Sequence, residues 1–233
     1  VLVSLVRLLG VIGTLVVAVL MGLAYLFLPA GVKQQIMALF GGGEDSGQAG
    51  SGSACQASAE NEQACDFSRV VLASTEDAWS PRFQQGTLPR YGKPAGAYSE
   101  PTLVVFSTSV ATGCGNASSD VGPFYCPRDG RLYIDPSFYR VMESRLRAPG
   151  DFAQAYVIAH EVGHHVQNLI GATQVELEGE TDNQTSVRVE LQADCLAGVW
   201  GHTARRSLEI TEEDLSEAVN AAHAIGDDAL GHS

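Results

Sequence analysis

The stretch DFAQAYVIAHEVGHHVQNLIG, residues 151–171, decides the fold. Ala148-Pro149-Gly150 breaks the chain before it, and Asp151 with Gln154 three residues on makes a capping-box pattern. Gly171 supplies a helix end. Between them Phe152–Ile170 reads as one mostly apolar helix, and in its middle stand His160, Glu161 and His164 in the pattern H-E-x-x-H. Residues i and i+4 share a helix face, so both imidazoles reach one ion, and zinc suits two imidazole nitrogens. Glu161 is turned by about 100° from His160, which aims it at a water on the ion rather than at the ion. Its expected role is general base toward that zinc-bound water. An apolar helix has little reason to carry such a trio unless something compensates it. His165 is turned away from His164 and reads as an orienting or simply satisfied histidine, while Tyr156 reads as core packing.

Two histidines leave zinc short of a ligand, because a catalytic site takes three protein ligands and keeps one position open. A second helix is predicted from about Ser186 to Arg205, after the acidic loop Glu176–Asp182. It carries Glu190 and Asp194, again i and i+4. Packed antiparallel on the first helix, it would bring Glu190 to the metal and Asp194 to a ligand imidazole, His160 above all, to fix its tautomer. The competing reading is a solvated acidic pair, against which stand the apolar neighbours Val187, Val189, Leu191 and Leu196. A third helix, capped by Thr211 with Asp214, carries His223, the candidate oxyanion donor; His202 and His232 read as surface residues.

Upstream, Phe67–Ser80 reads as a helix, Thr102–Val110 as a β-branched strand, Arg131–Asp135 as a short strand and Ser137–Leu146 as a helix. GCGNASSDVGPFYCP between the strands reads as a loop. Thr102–Val110 is also the candidate edge for pairing with an extended peptide. Of the five cysteines, Cys55 with Cys65 and Cys114 with Cys126 are close pairs in loop-like settings, which points to two disulfide-closed loops. Reduced thiols are the alternative reading. Cys195 falls in a predicted helix as a small buried residue.

The stretches GCGNASSDVGPFYCP, RLYIDPSFY, APGDFAQAYVIAHEVGHHVQNLIG, VELQADCLAGVW and AIGDD resemble the bacterial family described as putative neutral zinc metallopeptidases, over roughly 93–228. HExxH followed by ExxxD also resembles the thermolysin-like gluzincins. The resemblance implies the metal ligands His160, His164 and Glu190, the base Glu161 and the orienting residue Asp194. It also implies a longer C-terminal end than the six residues after Asp227, so the domain is expected to be cut short there.

Leu8–Leu28 holds no charged residue, and a helix of that length spans about 30 Å, the thickness of a bilayer core. Pro29 follows directly, with no cleavage-site pattern, so the expectation is an anchor helix and not a removed signal. GGGEDSGQAGSGS at 41–53 reads as a flexible linker. The expected organisation is an anchor at 1–30, a linker at 31–54 and a metallopeptidase domain at 55–233. The disulfides place that domain outside the membrane, giving a single-pass extracytoplasmic arrangement. A net charge of −13 excludes nucleic acid as a partner by repulsion. The fold expected is α+β: a zincin-like helical core carrying HExxH, a small β-sheet and one preceding transmembrane helix. The expected function is a membrane-anchored zinc metallopeptidase acting on a peptide or protein substrate. The alternative is a zinc-binding, catalytically weak extracytoplasmic binding or assembly protein.

Overall fold

The computed structural model describes residues 54–93, 96–144 and 150–230, with backbone alone at 221 and 223–230. The expected span Leu8–Leu28, the linker at 41–53 and the side chains of His223 and His232 lie outside this description. No helix among the described residues is long and apolar enough to cross a membrane.

The described residues form a mixed α+β structure with five α-helices and two small sheets. Helix α1 spans Ala59–Gln84, longer at both ends than its apolar spacing predicts. Its first turns are polar, and what starts them is the Ser58 cap, whose Oγ accepts from Asn61 N–H at 3.1 Å. The Cys55–Cys65 disulfide clamps the same end. One face of α1 then buries Val71, Thr75, Trp79 and Phe83.

The predicted strand Thr102–Val110 is broken in two. Strand β1 (Thr102–Val105) runs parallel to β5 (Arg131–Ile134), and β4 (Phe124–Cys126) adds to β5 antiparallel, in the order β1-β5-β4. Strands β2 (Ser109–Thr112) and β3 (Gly115–Ser118) make a separate hairpin. The break falls at Thr108, which sits at φ 66° and donates its N–H to Asp135 Oδ2 at 3.1 Å. Ser119 Oγ and Ser137 N–H also donate to that buried carboxylate, so Asp135 gathers Thr108, the short 3-10 turn at Ser119 and the start of the helix at Ser137 in place of a continuous strand. The stretch read as a loop, 113–127, contains β3 and β4, and Cys114–Cys126 ties the hairpin tip to β4.

Helix α2 covers Ser137–Ser144 and α3 covers Asp151–Ile170. Asp151 is the first residue of α3 and not its cap; Gly150 takes the cap position without a side-chain bond. Gly171 closes α3 at φ 82°, the left-handed conformation that glycine adopts without strain. Helix α3 is the centre of the core, burying Ala155, Ile158, Val162, Val166 and Ile170 among its neighbours. Helix α4 (Asp182–Ala204) starts a turn earlier than predicted, on a full capping box between Thr181 and Gln184. Trp200 of α4 is fully buried, stacked on Phe152 of α3, with its indole N–H on Ser74 Oγ of α1. Cys195, expected to be buried, is exposed. Helix α5 covers Glu212–Leu230, with Thr211 and Asp214 bonded reciprocally at its start.

Candidate metal centre

Helices α3 and α4 meet in opposite directions: His160 faces Asp194, Gly163 faces Ala193 and Gln167 faces Val189. The crossing is close because Gly163 has no side chain; a Cβ there would stand 2.9 Å from the Ala193 carbonyl oxygen. His160, His164 and Glu190 converge as a result. His160 Nε2 lies 3.1 Å from His164 Nε2, and Glu190 Oε2 lies 3.2 Å and 3.4 Å from those two nitrogens.

The outer partners settle which atoms carry hydrogen. Asp194 Oδ1 is 2.9 Å from His160 Nδ1, so that nitrogen donates outward. Gln167 Nε2 donates to Val189 O at 2.7 Å and to Gln192 Oε1 at 3.0 Å, which turns its Oε1 to His164 Nδ1 at 2.9 Å. Both histidines, when neutral, therefore aim lone pairs inward at each other and at a carboxylate oxygen. Three acceptors facing one point demand positive charge there. The same pull acts on the imidazoles: burial opposes the charged form of His160, yet hydrogen bonds to Asp194 and Glu190 and the nearby Glu161 carry its pKa up to about 10. His164 is raised against burial by Glu190 and Glu161, and Glu190 is held far below the carboxylate range by the two histidines.

Zinc fits this donor set. Bonds of about 2.0–2.2 Å at tetrahedral angles place ligand atoms about 3.3–3.6 Å apart, close to the observed triangle. Two imidazoles and one carboxylate also leave the fourth position for water. Glu161 lies within 4.8 Å of both histidines too, but its Oε2 accepts Tyr125 N–H from β4 at 2.8 Å, which draws it toward the strand. Burial raises its carboxyl pKa, against the lowering by His164, His160 and that N–H.

Other residues of this arrangement lie outside both the H-E-x-x-H pattern and the Glu190–Asp194 pair. Gln167 and Gln192 link His164 to α4, and Gln167, one turn beyond His164, is fully buried in an apolar helix, a legible sign. Tyr156 does more than pack: its hydroxyl donates to Asp194. Tyr125 acts through its backbone N–H, for which no residue type is a signal. Its hydroxyl is held by His165 Nδ1 and Asn168 Nδ2, both at 3.0 Å. His165 is buried, its Nε2–H on Ser99 O at 2.6 Å, and burial lowers its pKa. It locks the strand that holds Glu161. Gln167→Leu is expected to weaken zinc binding by about 10–100-fold with little change in fold, as losses of ligand-orienting groups do; competition against a chromogenic chelator measures it, and unchanged affinity would remove Gln167 from the site.

A cleft of about 700 Å³ opens over the trio, bounded by β4 and its approach, by α4 and by Phe138 of α2. Thr102–Val110, expected as the peptide-pairing edge, takes no part in its lining.

A helix pair that presents two histidines and a glutamate to one point, with a second glutamate beside it, has the donor set of a candidate metal centre. The chain belongs to the family described as "Putative neutral zinc metallopeptidase", which it matches over residues 4–233. It is 50% identical over 184 residues to the uncharacterized protein YpfJ of Escherichia coli strain K12, covering 74% of this chain and 60% of that protein. It is 43% identical over 145 residues to the uncharacterized protein Rv2575 of Mycobacterium tuberculosis, covering 57% of this chain and 50% of that protein. The chain thus spans about half to three fifths of the length of these curated relatives. No solved structure matches it.

Proposed function

We propose that this chain is a zinc-dependent peptidase that hydrolyses peptide bonds. His160, His164 and Glu190 hold the ion, and Glu161 is the base. The observation that carries the reading is the convergence of three acceptor atoms within 3.1–3.4 Å, each imidazole turned inward by its outer partner. When bound, zinc supplies Lewis acidity, lowering the pKa of water and polarising a carbonyl. The rest is work of the chain's own groups. Asp194, fixed by Tyr156, keeps His160 in the tautomer with a free Nε2. Gln167 does the same for His164. Glu161, steadied by Tyr125 N–H, takes a proton from the attacking water at its free oxygen and passes it to the leaving amine. The core is read as zincin-like. The reading extends to a single-pass anchor at Leu8–Leu28, a linker at 31–54 and a catalytic domain at 55–233 outside the membrane; the two disulfides support an oxidising compartment.

The test uses the full chain in detergent: elemental analysis, then hydrolysis of end-blocked peptides before and after chelation and after zinc is returned. One zinc per chain with cleavage that stops on chelation and returns with zinc is expected. Zinc bound with no cleavage would overturn the peptidase reading and favour a zinc-binding assembly protein. Absence of stoichiometric metal would overturn the ligand set.

A further inference from the structure

The edge strand beside the metal centre is unusual in what it withholds. Tyr125 turns its N–H away from β5 and gives it to Glu161. By the alternation of an antiparallel pair, Phe124 and Cys126 turn theirs toward β5. The next residues on either side, Pro123 and Pro127, both border the cleft and have no N–H at all. Across 123–127, β4 therefore offers an incoming chain no free backbone donor, only carbonyl oxygens. A substrate strand cannot form the two-way ladder that usually gives main-chain affinity.

The walls are built for something else. On the β4 side stand Val121, Pro123 and Phe124, with Phe138 behind them. That wall is fixed: Gly122 sits at φ 73°, and a Cβ there would meet Phe138 at 3.2 Å. Across the cleft stand Val187 and Leu191 of α4, on either side of Glu190 in sequence. Val121 is 59% exposed, Leu191 62% and Val187 39%. Single exposed aliphatic residues mean little, but these three converge on one cleft at the metal centre.

We infer that the substrate is an extended polypeptide segment bearing aliphatic or aromatic side chains beside the cleaved bond, recognised through those side chains by Val121, Val187 and Leu191 and not through a β-ladder. The inference rests on the peptidase reading above. Covering a leucine-sized side chain is worth about tenfold or more in kcat/KM.

The experiment gives the zinc-loaded full chain two end-blocked peptide pools of equal length, one with Leu, Val or Phe flanking the central bond and one with Ser, Asp or Lys there. The first pool should be cleaved at least about tenfold better. Val187→Ser with Leu191→Ser, which leaves the charge of the site unchanged, should shrink that ratio several-fold, chiefly through KM, at unchanged zinc content. Equal cleavage of the two pools, or a ratio untouched by the double substitution, overturns the inference while the peptidase reading stands. No cleavage of either pool by protein holding one zinc overturns the peptidase reading and this inference with it.

Discussion

Glu161→Gln should leave zinc in place and lower peptide hydrolysis by about 10²–10⁴-fold, the usual worth of a positioned general base. The exchange keeps shape and keeps an acceptor oxygen for Tyr125 N–H, now at 2.8 Å from the carboxylate. What goes is the ability to take and return a proton. The proposed ligands His160, His164 and Glu190 are untouched, so metal content separates the two roles open to Glu161. Elemental analysis beside initial rates on end-blocked peptides makes the measurement. Retained zinc with rates within about threefold of wild type would move the base elsewhere in the cleft. Lost zinc would mean that Glu161 itself helps to hold the ion, beside His160 and His164.

The helical half of this site is legible in the sequence because helix geometry converts spacing into direction. His160 with His164, and Glu190 with Asp194, are i and i+4 pairs, and their shared faces follow from 3.6 residues per turn. Gly171 and Thr211 mark helix boundaries through chemistry that acts within a few residues. The strand half is not legible in the same way. Thr102–Val110 looks continuous by residue type, and only Asp135, more than twenty residues away, shows why it breaks at Thr108. The strand that borders the cleft is three residues long and flanked by prolines, so it reads as turn. Its contribution runs through a backbone N–H, which every residue but proline has. The early start of α4 is a milder case: its first turn is polar, and it is held by the Thr181–Gln184 box and not by any apolar stripe.

Gly163→Ala provides a test whose sign decides the matter. At an ordinary interior helix position that exchange stabilises by about 0.5–1 kcal/mol, since alanine gives up less backbone entropy. Here the added Cβ would lie 2.9 Å from Ala193 O and 3.2 Å from Ala193 Cα. Both are backbone atoms and cannot rotate away, so α3 and α4 must part. Gly163→Ala should therefore lower thermal stability, and Gly163→Val should cost about 3 kcal/mol or more, the upper range for overpacking a core. The metal site should fail along with the packing. Gly163 stands between His160 and His164, and Ala193 between Glu190 and Asp194, so the contact that parts is the one that sets the 3.2 Å and 3.4 Å approaches of Glu190. Zinc affinity should fall further in Gly163→Val than in Gln167→Leu, because Glu190, Asp194 and Val189 all withdraw together from α3. Thermal melts with and without chelator, beside zinc competition, measure both effects. A rise in melting temperature for Gly163→Ala would show that the helices are not held together at this crossing, and the closeness of Glu190 to the histidines would need another cause.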